Sequence, residues 1–185
     1  TLEEYVEVAE RFDDCDCVAA LELNISCPNI KEGGIEFGTD SKMTAEVVSR
    51  VRKATRLPLI PKLSPSVSDI GLFARVSEES GADAISLINS VPGMVIDIES
   101  RQPVLANNVG GLTGPAIRPI AVRMVWFASQ AVSIPVIGMG GISSGEDAIQ
   151  FFIAGATAVA VGTATFIDPT TPLRIVSEVE DYLIS

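Results

Sequence analysis

IPVIGMGGISSGEDAIQFFIAGATAVAVGT, residues 134–163, decides the architecture. Residues 134–139 are an apolar run suited to a strand buried on both faces. A helix over 145–154 follows and ends at Gly155, where the chain needs the left-handed turn that glycine supplies. TAVAV, 157–161, is a second buried strand. A strand, a helix and a second strand joined by short connections form a parallel unit. The same junction stands upstream in ESGADAISLI, 79–88, where Gly81 precedes a strand over 83–88. Working outward, strands are expected over 18–25 and 57–64, and helices over 1–14, 43–56, 66–80, 116–132 and 172–184. Thr1 and Glu4 have capping-box spacing at the first helix. In the Gly- and Pro-rich segment 89–114, VIDI (95–98) and PVLA (103–106) are expected to pair as a small hairpin.

Strands separated by helices lie parallel and are covered on both faces. Five of them can form an open doubly wound sheet or part of a (β/α)8 barrel. In a barrel, functional side chains sit at the C-terminal ends of strands. The unusual residues fall there: 24–29 after the first strand, Lys62 after the second, Asn89 and Ser90 after the third. Gly140 and Gly141 follow the fourth strand, and Gly162 and Thr163 the fifth. That distribution favours the α/β TIM barrel. A whole barrel needs roughly 250 residues, so the 185 present supply only the C-terminal five or so βα units of one domain. The chain also begins without Met. Both features predict that about three N-terminal units lie outside it.

Composition removes several functions. Lys and Arg total 13 against 24 Asp and Glu, a net charge of −11, which disfavours nucleic acid and anionic membrane surfaces as partners. Histidine is absent, which excludes Ser-His-Asp and Cys-His catalysis and His-based metal sites within the chain; no metal site is expected. No apolar run reaches the roughly 18 residues of a membrane span. Three cysteines, Cys15, Cys17 and Cys27, fit reduced thiols in the cytoplasm. Cys15 and Cys17 read as structural fillers. The acidic pairs Asp13-Asp14 and Glu78-Glu79 read as solvated helix ends.

Individual motifs narrow the chemistry. GMGGI (138–142) and VGTA (161–164) end the last two strands, where backbone N–H groups of a barrel often hold phosphate, from a substrate or from flavin mononucleotide. Cys27, in NISCPN, stands at the barrel mouth as a candidate base, provided its thiolate is favoured. Lys62 ends an otherwise apolar strand and needs an anionic or electron-rich partner. Beside a flavin, a lysine stabilises the negative charge of the reduced ring. Asn24, Asn29 and Asn89 offer amide donors and acceptors at the same rim. Gly33 and Gly34 are candidate hinges of a mobile lid.

ELNISCPNIKEGGIEFGTD (22–40) resembles the active-site loop of the flavin-dependent dihydroorotate dehydrogenases. The resemblance continues in order through PKLSP (61–65), SLINS (86–90), NNVGGLTGPAIRP (107–119), IGMGGISSGEDA (137–148) and AVAVGTATF (158–166). The GG and FGTD elements resemble class 1B, whose catalytic subunit pairs with an iron–sulfur flavoprotein subunit. Pro61 departs from the aliphatic residue usual before Lys62 and removes a backbone donor from the strand.

The resemblance implies FMN-dependent oxidation of dihydroorotate to orotate in pyrimidine biosynthesis. Cys27 would take the C5 proton while hydride leaves C6 for the flavin. Asn24 would touch substrate and FMN, and Asn89 and Ser90 the substrate, with Asn29 assisting. Lys62, Ile88, Gly114, Gly140, Gly141, Gly162 and Thr163 would hold FMN, and 28–41 would be the lid. It also implies a homodimer associated with the partner subunit, which would carry FAD and the Fe–S cluster and pass electrons to NAD. Residues 1–185 would be the C-terminal portion of a single FMN-binding barrel domain. Three alternatives stand beside this: chemistry like that of dihydropyrimidine dehydrogenase, reduction of uridine in transfer RNA, and a non-catalytic barrel fragment. The net charge of −11 speaks against the transfer RNA reading.

Overall fold

A computed structural model describes residues 1–25, 31–32, 35–36 and 38–185. In chain order its elements begin with α1 (Leu2–Asp13), β1 (Leu21–Asn24), the short strands β2 (Lys31–Glu32) and β3 (Ile35–Glu36), α2 (Ser41–Ala54) and β4 (Leu59–Leu63). Then come α3 (Ile70–Glu79), β5 (Ile85–Leu87), β6 (Val91–Gly93), β7 (Ile96–Asp97), β8 (Gln102–Pro103) and β9 (Gly110–Leu112). A 3-10 turn at Pro115–Ile117 leads into α4 (Arg118–Ser129), followed by β10 (Val136–Met139), α5 (Gly145–Ile153), β11 (Ala158–Ala160), α6 (Ala164–Ile167) and α7 (Thr171–Ile184).

The five long-range strands form one sheet in the order β1-β4-β5-β10-β11, and every pairing is parallel. Sequence order equals spatial order, as in the wall of a barrel, where each strand is followed by a helix and then by its neighbour. A doubly wound sheet reverses its strand order partway, and this one does not. The partial barrel expected from the sequence is therefore borne out. Four of the strands are shorter than expected at both ends and β10 at its N-terminal end alone, because only the central residues pair. The helix read as beginning at residue 43 begins at Ser41, capped by the Asp40 carboxylate, which accepts from the N–H groups of Lys42 and Met43.

Alternation assigns the two faces of the sheet. Leu23, Leu59, Leu63, Ile85, Leu87 and Val136 are buried against the helices. Burying each such side chain is worth about 1.5–3 kcal/mol. Gly138 shares this face, because a Cβ built there would lie 2.5 Å from Phe151 of α5. Gly81 and Gly155 end their helices at φ +100° and +102°, the left-handed turns expected of them. The Thr1–Glu4 capping box is formed. Ile96–Asp97 pairs with Gln102–Pro103, so the expected hairpin is present.

Two expectations are corrected. Cys15 and Cys17 are exposed, 3.5 Å apart at sulfur, and fill no core. Asp13 and Glu78 are more than solvated helix ends. The Asp13 carboxylate accepts from the Thr55 hydroxyl at 2.8 Å and from the Arg56 backbone N–H at 2.5 Å, and Glu78 accepts from the Ser133 N–H at 2.9 Å. Each ties a helix end to the chain entering or leaving a neighbouring element.

Candidate functional site

The face of the sheet turned away from the helices carries Glu22, Asn24, Ile60, Lys62, Ser86, Ile137 and Met139 at alternate positions. The strand register sets these side chains side by side: Asn24 opposite Lys62, Lys62 opposite Ser86, and Ser86 opposite Ile137. Lys62 Nζ donates to Glu22 Oε2 at 2.9 Å, and Ser86 Oγ donates to Glu22 Oε1 at 2.7 Å. The anionic partner demanded by a lysine on an apolar strand is thus present, and it is Glu22. Pro61 faces the helices opposite Leu23, so it alters the ladder without altering the polar face.

At the C-terminal rim, Asn89 Nδ2 donates to Asn24 Oδ1 at 3.2 Å, and the Ser90 N–H donates to Asn89 Oδ1 at 2.8 Å. The Tyr5 hydroxyl of α1 donates to the Asn24 carbonyl at 2.7 Å and holds the end of β1. Ile88 is buried, and its N–H donates to the Met139 carbonyl at 3.0 Å. Asn24, Lys62, Ile88, Asn89 and Ser90 therefore follow one another along a single rim, over strands β1, β4 and β5. Cys27 and Asn29 lie outside the described residues, as do six of the fourteen residues of the expected lid 28–41, the candidate hinges Gly33 and Gly34 among them.

The glycines gather around the ends of β10 and β11. Gly140 and Gly141 have φ +129° and +77°, Gly114 has φ +82°, and all three lie in the region that favours glycine. A Cβ on Gly141 would stand 2.6 Å from the Gly114 carbonyl, and one on Gly114 would stand 3.8 Å from Thr163 Cγ2. Gly162 opens onto free space. Five of the expected cofactor residues, Gly114, Gly140, Gly141, Gly162 and Thr163, thus form one backbone-lined cradle beside the rim. Gly162 and Thr163 are exposed, Gly140 and Gly141 half-buried and Gly114 buried, and glycine backbone at strand ends suits the close approach of a phosphate group.

The cradle has a brace. Asp147, buried in α5, accepts from the Ser143 N–H at 2.9 Å and its hydroxyl at 2.8 Å, and pairs with Arg118 at the start of α4. Burial pushes the Asp147 carboxyl up, but the Ser143 donors, the Arg118 charge and the Ser144 hydroxyl outweigh it and hold the group below its ordinary value. The loop 140–144 is fixed between two helices by this carboxylate.

The sequence model of the dihydroorotate dehydrogenase family matches residues 1–183. The chain belongs to that family. The catalytic subunit of dihydroorotate dehydrogenase B (NAD(+)) from Citrifermentans bemidjiense is 58% identical over 184 residues, which are 100% of this chain and 60% of that protein. The protein of the same name from Desulforudis audaxviator is 55% identical, over 99% of this chain and 60% of its own. The chain spans about 60% of the length of these relatives. A crystal structure of DHODH from Eimeria tenella, solved with ferulenol, superposes with a TM-score of 0.81 at 22% identity, covering 98% of this chain and 54% of that one. That likeness supports the family's fold.

Within this family member, sequence reasoning missed Glu22, Arg118 and Asp147. The alternation in LELN, 21–24, sets Glu22 on the face of Asn24. Ser144 and Asp147 have the spacing of a helix cap, and the Ser144 hydroxyl does accept from the Asp147 N–H at 3.2 Å. Arg118 carries no local signal, since its partner is 29 residues away. Among the described residues no group of three or more His, Cys, Asp and Glu side chains is placed to hold a metal ion. No helix among them is long and apolar enough to cross a membrane.

Proposed function

We propose that this chain forms most of an FMN site and of a dihydroorotate site, and that the protein oxidises dihydroorotate to orotate. The observation that carries the reading is the junction of two surfaces: a polar rim of amides and a lysine, and a glycine cradle beside it. FMN has a ring with amide edges and a phosphate, and the two surfaces match those two ends. Gly140, Gly141, Gly162 and Thr163 hold the phosphate through backbone N–H groups, and Gly114 completes the cradle. Lys62 and Ile88 contact the ring, and Asn24 touches ring and substrate. Asn89 and Ser90 bind the substrate. FMN, when bound, supplies the hydride acceptor.

Cys27 takes the proton from C5 of dihydroorotate as the C6 hydrogen leaves as hydride, and the electron pair of the C5–H bond becomes the new C5=C6 bond. The assignment of Cys27, of Asn29 as an assisting contact and of the lid 28–41 rests on the sequence resemblance. The rim supports it, because Asn24 and Asn89 converge three positions before the cysteine. Further βα units complete the eight-stranded barrel by joining β1 to β11, the two edges of the described sheet. The protein works in the cytoplasm as a homodimer, with a partner subunit carrying FAD and an Fe–S cluster and delivering electrons to NAD. The words "catalytic subunit" and "NAD(+)" in the relatives' names support that last step.

The test is FMN titration of the flavin-free full-length protein by fluorescence quenching. Gly141→Ala is expected to weaken binding about tenfold or more, since a side chain there meets the Gly114 carbonyl. Asn89→Ala is expected to leave FMN binding within about threefold and to raise the KM for dihydroorotate about tenfold. Full FMN affinity in the Gly141→Ala variant would remove the cradle from the proposal. An unchanged KM in the Asn89→Ala variant would remove Asn89 from the substrate site.

A further inference from the structure

Among the described residues, Glu22 is the one acidic group on the polar face of the five-stranded sheet, and the reaction above gives it no role. It stands two residues before Asn24 on the same face of β1. Both its oxygens are engaged, by donors from two other strands. Oε2 accepts from Lys62 Nζ of β4 at 2.9 Å, and Oε1 from Ser86 Oγ of β5 at 2.7 Å. The carboxylate therefore reaches across β4 and links β1 to β5. Ser86 is fully buried, so the hydroxyl that orients the carboxylate is itself fixed. The Lys62 side chain is 19% exposed and that of Glu22 40%. A lysine head on a flexible four-carbon stem takes one position only when something holds it. Here that something is a charge of opposite sign, on the face that carries the proposed flavin contacts.

We infer that Glu22 is a positioning residue for Lys62: it holds the ammonium at the centre of the polar face and, as its counter-charge, sets how much positive potential the flavin ring experiences. This rests on the reading of Lys62 as a flavin contact. A more positive site favours the reduced, negatively charged ring, and a compensating carboxylate moderates that effect. Glutamine at position 22 keeps the geometry without the charge, because its carbonyl accepts from Lys62 and its amide donates to the Ser86 hydroxyl.

The experiment is the midpoint potential of FMN in the full-length protein, read from the flavin spectrum during an anaerobic reductive titration, with thermal melts run in parallel. Glu22→Gln is expected to raise the potential by about tenfold in the oxidised-to-reduced ratio, which is about 30 mV for a two-electron couple. Glu22→Ala is expected to move it the same way, and carries the test if the glutamine variant fails to fold. Glu22→Asp keeps the charge and is expected to stay within about threefold of the parent protein. Lys62→Ala is expected to lower the potential. An unmoved potential in Glu22→Gln, with a lowered one in Lys62→Ala, would overturn the role of Glu22 and leave Lys62 at the flavin. Unmoved potentials in both would overturn both readings.

Discussion

Asp13 shows how one carboxylate joins sequence, fold and pH. The Arg56 backbone N–H and the Thr55 hydroxyl, against the opposing effect of burial, hold its carboxyl down to about 2 from an ordinary 3.8. A carboxyl depressed in the folded state contributes stability above its unfolded value and loses it as pH falls through its folded value. Stability is therefore expected to decline between about pH 4 and 2, followed by circular dichroism, and Asp13→Asn should flatten that part of the profile. The residues legible in the sequence share one property: position at a strand end. Asn24, Lys62, Asn89 and Ser90 stand out that way, Ile88 enters only through the family resemblance, and the structure brings all five to one rim. Glu22 lies two residues inside the strand, where the apolar neighbours Leu21 and Leu23 hide a polar face. Asp13 reads as a solvated helix end because its partners are 42 and 43 residues away.

At the scale of elements, the tight packing is where β10 meets α5. Gly138 gives Phe151 its place, and a Cβ there would lie 2.5 Å from the ring and 3.3 Å from the Ala156 methyl. Gly138→Ala is expected to cost about 1–3 kcal/mol, with a lower Tm at about 2–4 °C per kcal/mol. Phe151→Leu in the same chain should restore part of the loss, because it removes the clashing atoms. An unchanged melt for the single variant would contradict this packing. The long strands and helices are legible because period and glycine caps agree. The pair β6 and β9 is not, because Val-Pro-Gly and Gly-Gly-Leu have little strand propensity and are joined by register alone. The four residues of α6 are too few to show a helical period.

For the whole molecule, a parallel sheet is stable when both faces are covered. Here one face is packed by helices, and the other carries Glu22 and Asn24 exposed, with Lys62 half-buried, between the two edge strands β1 and β11. A barrel encloses such a face and abolishes such edges. The 185-residue chain expressed by itself is accordingly expected to self-associate, seen as concentration-dependent mass in light scattering, and to lack stoichiometric FMN. A monomer with full flavin content would contradict that. The central claim concerns the joined rim and cradle, and the most direct test is the visible spectrum of the FMN-loaded full-length protein on adding dihydroorotate without oxygen. The account predicts that the oxidised flavin band bleaches, and that Cys27→Ala slows the bleaching about a hundredfold or more while FMN stays bound. A bound flavin that dihydroorotate leaves oxidised would contradict it.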